Sequence, residues 1–476
     1  MTGGKRTAAV AILAAAAAAG APFLLARPLA GAASVALLLL GTGGLLFLSR
    51  YFVRHGVDPL SPAVAFPLAA LAWFSLASIP LLSDREGHRP PMPLTAWLVV
   101  APALAAYAAG AAGFPMAALR PRIKAVASPP PLPAHAAFAF EPARLFAVLA
   151  AITAASSAAL ALVWARRGLP FVSGTMEEMR LEAISSGYES FVGLGVVSVA
   201  ILVFAHAATL PPGTKLERRF VALAAVAIAL LALTGGRGFV AIPLGAGIFL
   251  RHQLKKPFTL FQLAGLGALF ALFASAYLVV RGMSHYGVAY FADYLRTITL
   301  LPEPLAPLAP VVLGVRAGPA AFGEILAVVP SEVPFQGGRF LLSPLVSFLP
   351  GHQEWAPAFI QRVLRHDFPG FGEPATLFGS FYLDFGVPGV LAGAFLTGLA
   401  WRLLRRRFDE RRDLFHAILL ALAGVFILFS LYGDLYGFSF FFLWNAGICF
   451  TVIALAGRHG GQAPCSDPSP PPSPSS

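Results

Sequence analysis

Arg237 lies between glycines in the segment ALTGGRGFVAIP, where two apolar stretches of the sequence meet. A guanidinium that is buried or half-buried in a membrane is costly unless its charge is paired, so such residues tend to mark functional sites. Glycine has no side chain, which lets a ligand or a backbone segment approach closely. The alternative is an arginine that snorkels to the interface. We predict that Arg237 marks a site at the outer end of a helical hairpin.

The segment from 281 to 374 is the longest connection between apolar stretches, and long connections are usually functional. Apolar runs such as RFLLSPLVSFLP predict amphipathic helices that lie on or dip into the outer leaflet. Any one arginine here could simply contact water or a lipid headgroup, but the whole cluster indicates function. Its basic and histidine side chains are Arg281, Arg296, Arg316, Arg339, Arg362, Arg365, His285, His352 and His366.

Two further segments carry charged side chains that a membrane scaffold does not need. Residues 165–190 contain Arg180 among glutamates and apolar anchors. Residues 366–399 begin with a glycine-rich stretch that would allow a sharp return into the bilayer. Tyr382 and Asp384 would then lie about one turn into a helix, on its outer side. Asp384 would need a partner such as a loop arginine, or would be a helix-start charge favoured by the helix dipole.

The elements that position these residues are membrane-spanning helices. Of the 476 residues, 58% are hydrophobic and only 12% are charged, which excludes an ordinary soluble domain. A spanning helix needs about 20 mostly apolar residues. The sequence therefore predicts an all-α polytopic membrane protein with about 12 transmembrane helices and a large outside loop. The predicted spans are 8–26, 29–49, 63–82, 94–117, 145–164, 191–210, 219–235, 238–250, 258–280, 375–400, 414–432 and 436–457.

The distribution of positive charge predicts the orientation. Lys and Arg outnumber Asp and Glu by 34 to 22. Most of these basic residues lie in the predicted inside connections, which alternate along the chain with the predicted outside connections. The densest run, between Arg402 and Arg412, falls on the predicted inside, as the positive-inside rule requires. We predict a bacterial inner membrane protein with both termini in the cytoplasm. The start of the chain resembles a signal peptide, but the apolar run that follows favours an uncleaved first span.

Composition also predicts the boundaries between sections. One proline-rich stretch favours a linker, and a second one favours a disordered tail. The two cysteines, Cys449 and Cys465, are too few for a disulfide framework or a cysteine zinc site. The predicted sections are an N-terminal four-helix section (1–127), a cytoplasmic linker (128–142), a central transmembrane section (143–280) with the outside loop 165–190, a large periplasmic loop (281–374), C-terminal transmembrane helices (375–457) and a disordered cytoplasmic tail (458–476).

Three segments, in this order, resemble the oligosaccharide repeat unit polymerases of the Wzy type. They are GLPFVSGTMEEMRLEAISSGY, TGGRGF and FGEPATLFGSFYLDFGVPGVLAGAFLTGL, and the likeness covers roughly residues 145–400. Some members carry an arginine followed by ten residues and a glycine, but here Phe191 holds that place after Arg180. The resemblance implies a GT-C-like, O-antigen polymerase-like fold.

The resemblance also implies a reaction. A growing glycan on undecaprenyl diphosphate is transferred to a sugar hydroxyl of an incoming lipid-linked unit. Because the leaving group is already a diphosphate, the protein must mainly supply positioning and charge stabilisation, to which the arginine fork is suited. A carboxylate or histidine would accept the hydroxyl proton. Under this reading Arg180, Arg237, Arg281, Arg339, Arg365 and Tyr382 contact the diphosphates and sugars, and His366, Asp367, Glu373 or Asp384 is the base.

The same resemblance implies no cofactor, and no metal-binding motif such as HExxH occurs in the predicted outside segments. It implies partners from the same pathway, namely a chain-length regulator and a flippase, and no nucleic acid. Three alternatives remain open. One is an O-antigen ligase-like transferase, another is a transporter of lipid-linked glycans, and the third is a non-catalytic scaffold. Transport is disfavoured because the predicted spans are almost free of charge at their centres and show no inverted repeat.

Overall fold

We describe the protein from a computed structural model. The structure describes residues 43–44, 46–47, 49–50, 54, 57–78, 94–112, 140–168, 192–211, 213–234, 236–287, 289, 293, 309–346, 356–364, 374–433 and 435–457.

Within these residues the chain is all-helical, apart from one isolated bridge between Phe140 and Gly457. Four stretches are long and apolar enough to cross a membrane, which agrees with the predicted class of multi-pass membrane protein: Thr95–Ala112, Pro142–Arg166, Leu260–Tyr277 and Thr376–Arg411. The helices are α1 Pro62–Ala77, α2 Leu94–Ala112, α3 Pro142–Arg167, α4 Val196–Thr209, α5 Arg218–Leu233, α6 Arg237–Leu254, α7 Leu260–Tyr286, α8 Ala309–Val328, α9 Arg339–Val346, α10 Ala356–Val363, α11 Thr376–Arg411, α12 Leu414–Phe429 and α13 Leu435–Ala456.

Every predicted span from residue 63 onward coincides with one of these helices. The predicted span 8–26 lies outside the described residues, as does most of 29–49. The number of crossings therefore stays a prediction. Local capping chemistry sets several ends: the Thr259 hydroxyl accepts a hydrogen bond from the backbone N–H of Gln262 (3.3 Å), which starts α7.

Helices α2 and α11 cross closely and are in extensive contact. A side chain at Gly110 would collide with the backbone of Phe395, and one at Gly398 would collide with the backbone of Tyr107. Small residues at a helix crossing let the backbones approach and increase van der Waals contact, which drives helix association in a bilayer. The glycines therefore hold α11 against α2 without a side chain between them.

Helix α11 reverses direction at Gly386 and so consists of two arms, 376–385 and 387–411. Gly386 has φ 65° and ψ −156°, a conformation outside the helical region. The ring of Phe381 lies directly against Gly393, a contact that a straight helix could not make because these residues would be about 18 Å apart along the axis. The sequence did not predict this reversal, and the glycine-rich stretch in which it predicts a sharp return lies mostly outside the described residues.

Helix α8 lies inside the segment predicted as the large loop, so that segment is not a surface loop throughout. Helix α8 packs against α1, α7 and the first arm of α11. Phe322 and Ile325 are fully buried, and Arg316 is only 3% exposed. The expectation that arginines of this segment contact water or headgroups is therefore wrong for Arg316. Pro319 and the charge interrupt the apolar run, which explains why hydropathy alone did not reveal the helix.

Asp58 joins three elements at one end of the bundle. One carboxylate oxygen accepts a hydrogen bond from His252 Nε2 (2.7 Å), and the other pairs with Arg405 (3.1 Å). Nδ1 of His252 accepts from the backbone N–H of Phe258 (2.9 Å), so Nε2 carries the ring hydrogen. Burial raises the pKa of Asp58, but the hydrogen bond from His252 and the charge of Arg405 outweigh it, so the net pKa lies below the ordinary aspartate value.

We expect Asp58→Asn to lower the free energy of unfolding by about 1–3 kcal/mol, because it removes a charged acceptor from a mostly buried cluster. A carboxylate whose folded pKa is lowered stabilises the protein above its unfolded pKa, and this contribution is lost as the pH falls through the folded pKa. The deficit of the variant should therefore be present at neutral pH and shrink in acid. Thermal unfolding in detergent from pH 7 downward measures it, with Glu410→Gln as an exposed control. A deficit that is constant with pH would contradict this role.

Candidate functional site

The described elements that carry Arg237, Arg281 and Arg339 lie toward the end of the bundle opposite the Asp58 cluster. His252 is near the end of α6 and Arg405 is near the end of α11, so the start of α6 and the Gly386 turn both lie at the far end. The hydroxyl of Tyr277 donates to the carbonyl of Ala232 (2.8 Å), which fixes the last turns of α7 beside the end of α5. The end of α5, the start of α6, the end of α7 and the Gly386 turn therefore all lie toward this end of the bundle, here called the convergent end.

Arg237 is the first residue of α6 and Arg281 lies in the last turns of α7. The prediction that Arg237 follows the turn of a helical hairpin agrees with this structure, since α5 ends at Leu233. For both arginines the structure describes the backbone, which places each at the converging end. Five other predicted site residues lie outside the described residues: Arg180, Arg365, His366, Asp367 and Glu373.

Asp384 is buried at the tip of the first arm of α11, with 1% of its surface exposed. Its two carboxylate oxygens accept hydrogen bonds from the backbone N–H groups of Phe340 (3.2 Å) and Leu341 (2.8 Å). These are the first unpaired donors of α9, and a carboxylate at a helix N-terminus is favoured by both the hydrogen bonds and the dipole. Asp384 therefore anchors α9 to the tip.

This position differs from the predicted one. Asp384 is eight residues into a helix that begins at Thr376, and the N-terminus it stabilises belongs to α9, not to its own helix. The expectation that Asp384 is a charge at the start of its own helix is therefore wrong. Backbone hydrogen bonds from Gln336 to the Leu383 carbonyl (2.8 Å) and from Gly337 to the Asp384 carbonyl (3.1 Å) strengthen the same attachment.

Tyr382 lies one residue before Leu383, between α8 and the tip, and is 8% exposed. Its hydroxyl donates to the carbonyl of Val329 (3.1 Å), and its ring packs edge-on against Phe322 and Phe335. The residue thus joins the end of α8 to α11. This arrangement suits a structural support of the site, whereas the sequence suggested a sugar contact.

Arg339 is exposed on the first turn of α9, where Asp384 fixes the helix. Its guanidinium lies 5.7 Å from the ring centres of Phe340 and Phe359. Arg362 of α10 approaches the Phe359 ring as well, at 5.2 Å. The two rings are buried and lie 5.0 Å apart. The structure therefore brings two arginines to one aromatic base.

Sequence reasoning counted Arg362 among the loop arginines but did not select it, and it missed Phe340 and Phe359. One signal was present: Phe359 and Arg362 are three residues apart, so on a helix they share a face. The pairing of α9 with α10 across a separate segment was not visible in the sequence. No group of three or more histidine, cysteine or acidic side chains that could hold a metal ion occurs among the described residues.

Comparison with protein families gives a match over most of the chain. The model of the "Putative O-antigen polymerase" family matches residues 95–429. No curated protein and no solved structure matches the chain. The matched region contains α2 through α12 and therefore every predicted site residue. It includes the three segments on which the resemblance rested, so that resemblance is confirmed.

Proposed function

Because the chain belongs to the O-antigen polymerase family, we propose that it polymerises undecaprenyl-diphosphate-linked repeat units into O-antigen, capsule or exopolysaccharide. In this proposal it acts at the outer face of the bacterial inner membrane, with both termini in the cytoplasm and the convergent end facing outward. It works with a chain-length regulator and a flippase of the same pathway, and it needs neither a cofactor nor a metal ion.

The proposed step makes one glycosidic bond and breaks one. A hydroxyl oxygen of the incoming unit attacks the anomeric carbon of the growing chain, and the bond from that carbon to the diphosphate oxygen breaks. The lipid diphosphate leaves with the bonding electrons, and the hydroxyl proton goes to a base. Negative charge develops on the leaving oxygen, so fixed guanidinium groups there would lower the barrier. Holding both lipid-linked substrates side by side would contribute further.

The observation that carries this proposal is that the backbones of Arg237, Arg281 and Arg339 lie toward the same end of the bundle. They are more than 40 positions apart in the sequence, yet α6, α7 and the α9–α11 contact bring their backbones to the same end. Arginine is always protonated and binds phosphate oxygens in a bidentate fork. Arg180 and Arg365 are proposed to complete the set from segments that flank these helices.

Among the four candidate bases, Asp384 is less suited than the other three to accept the hydroxyl proton. Asp384 already accepts hydrogen bonds at both oxygens from the backbone of α9, which suits an anchor better than a group that must reach a substrate hydroxyl. We therefore favour His366, Asp367 or Glu373 as the proton acceptor. All three belong to the segment of the sequence that directly precedes α11.

The length distribution of surface polysaccharide tests the proposal. A deletion strain should carry single capped units, and wild-type protein should restore long chains with or without excess chelator. We expect Arg237→Ala to leave single units at normal protein level and Arg237→Lys to restore chains only in part, since lysine cannot form the bidentate fork. Arg251→Ala is the control, because Arg251 is on the same helix at the Asp58 end and lies over Phe258.

Three outcomes would contradict the proposal. Full activity of Arg237→Lys would count against a bidentate diphosphate contact. Finished polymer that accumulates unattached on its lipid carrier in the deletion strain would indicate a ligase. An absence of outward-facing repeat units would indicate a transporter.

A further inference from the structure

A strongly basic surface lies at the Asp58 end of the bundle, and the proposed reaction uses none of it. Asp58 accepts hydrogen bonds from His252 near the end of α6 (2.7 Å) and from Arg405 near the end of α11 (3.1 Å), so these two helix ends lie side by side. Residues 58, 255–256 and 402–413 carry eight basic and four acidic side chains, which is a net charge of +4. The basic members, here called the basic surface, are Lys255, Lys256, Arg402, Arg405, Arg406, Arg407, Arg411 and Arg412.

Both helices reach the basic surface along a line of exposed apolar side chains. On α11, Leu396 and Leu403 are 59% and 50% exposed, and Arg407 at the end of the line is 64% exposed. Spacings of seven and four residues place these three side chains on one face of the helix. On α6, Leu244 is 39% exposed, and the exposed Lys255 follows it by the same eleven residues. An apolar line thus ends in a cation on each helix.

The length of these lines matches one leaflet of a bilayer. Eleven residues of helix span about 16 Å, and half of a hydrocarbon core is about 15 Å thick. A phospholipid whose acyl chain lies along either line therefore has its phosphate at the level of the basic surface. A soluble acidic protein could use the charges but not the apolar lines.

The charge of the basic surface selects among phospholipids. Anionic lipids are attracted by each lysine or arginine near the headgroups, whereas a zwitterionic headgroup gains much less. The acidic neighbours do not cancel this attraction, since Glu410 bonds mainly to Arg406 (2.6 Å) and lies 3.9 Å from Arg407. Exposed pairs of this kind are weak and leave the net charge unchanged.

We propose that the Asp58 end of the bundle selectively binds anionic phospholipids, with the phosphate at Lys255 and Arg407 and the acyl chains along the apolar lines of α6 and α11. The ligand class follows from the charge and the length of these lines and does not rest on the proposed function. Under the proposed orientation the lipids belong to the cytoplasmic leaflet. Because Asp58 joins the two helix ends, the bound lipids hold this junction at the level of the headgroups.

Competition between two lipids for the full-length protein tests this proposal. The protein in detergent is equilibrated with equal amounts of phosphatidylglycerol and phosphatidylcholine of the same acyl chains, and native mass spectrometry counts the lipids retained. We expect wild type to retain phosphatidylglycerol more than tenfold over phosphatidylcholine. The double variant Lys255→Gln with Arg407→Gln should lower this ratio about tenfold, which corresponds to about 1.4 kcal/mol. Glu410→Gln removes a negative charge and should raise the ratio, an opposite sign that loss of folding could not produce.

Arg166→Gln is the control for position, since Arg166 is an exposed arginine in the last turn of α3. Helix α3 begins at the Asp58 end, because the backbone N–H of Glu141 bonds to the carbonyl of Ala456 (3.0 Å) where α13 returns to that end. Arg166 is therefore at the opposite end, and its substitution should leave the ratio as in wild type. Leu396→Ala with Leu403→Ala should lower the retention of both lipids.

Four outcomes would overturn parts of the proposal. Equal retention of the two lipids by wild type would refute it and leave the basic surface to an acidic protein partner. An unchanged ratio in the double variant would refute the assigned cations, and an equal loss in Arg166→Gln would refute their location. Unchanged retention in the leucine variant would refute the apolar line of α11. The assay needs no polymer formation, so its result is independent of the proposed function.

Discussion

Asp384→Ala is expected to abolish polymer formation and to lower the thermal unfolding midpoint. The substitution leaves the backbone N–H groups of Phe340 and Leu341 without their acceptor in a buried place. Hydrogen bonds to a charged group contribute about 1.5–3 kcal/mol each, and an unsatisfied buried donor costs about 1–3 kcal/mol. Helix α9 should detach from the tip, and Arg339 would lose its position on the aromatic base.

Asp384→Asn distinguishes an anchor from a catalytic base. Asparagine keeps one acceptor oxygen, which can bind the N–H of Leu341, so an anchor should retain part of its stability and part of its activity. A base would lose all activity in Asp384→Asn while the unfolding midpoint stayed near that of wild type. The measurements are the polysaccharide length distribution in cells and thermal unfolding of the purified protein. Asp409→Ala, on the same helix at the opposite end and 49% exposed, should affect neither strongly.

Gly386→Ala is expected to destabilise the protein and open the reversal of α11. The conformation at Gly386, φ 65° and ψ −156°, is essentially restricted to glycine, and such strain costs about 1–3 kcal/mol. A β-carbon there would also lie 2.9 Å from the Phe335 ring. Because the tip carries Asp384, its displacement should reduce polymer formation together with the unfolding midpoint.

Gly447→Ala is the matched control for this substitution. Gly447 is in the interior of α13, where a β-carbon would meet nothing within 4 Å. Alanine is favoured over glycine in a helix by up to about 1 kcal/mol, so this variant should be as stable as wild type or slightly more so. The double variant Gly386→Ala with Phe335→Ala removes the steric contact but not the backbone strain, and should recover only part of the loss. Wild-type stability of Gly386→Ala would show that the reversal is not under strain.

The sequence by itself determined the class of the protein and the positions of most of its helices. Apolar runs of sufficient length must form helices in a bilayer because every backbone polar group has to be bonded within its own segment. Hydropathy therefore predicted α1 to α7, α12 and α13 to within about six residues at each end, and it predicted the start of α11 but neither its end at Arg411 nor its reversal. It also predicted that Arg237 follows a hairpin turn, since two apolar runs meet at its glycines.

Long-range pairing was not accessible to the same reasoning. The acceptor role of Asp384 depends on backbone N–H groups more than 40 positions earlier, and a backbone donor has no sequence signature. From the sequence we could predict only that the carboxylate of Asp384 needs a partner if it is buried. Likewise, the approach of Arg339 and Arg362 to one phenylalanine depends on how α9 and α10 are placed, which hydrophobic periodicity does not specify.

Helix α8 and the reversal at Gly386 are two further features of the structure that the sequence did not predict. Both involve residues whose local pattern is ambiguous: Arg316 and Pro319 interrupt an apolar run, and glycine is compatible with a helix as well as a turn. In each case the outcome was decided by packing, in one by burial of Phe322 against the first arm of α11 and in the other by the Phe381–Gly393 contact. The sequence thus determined most of the helical segments and where charge is placed, whereas only the tertiary structure decided which charged groups hold one another, because those contacts join segments far apart in the chain.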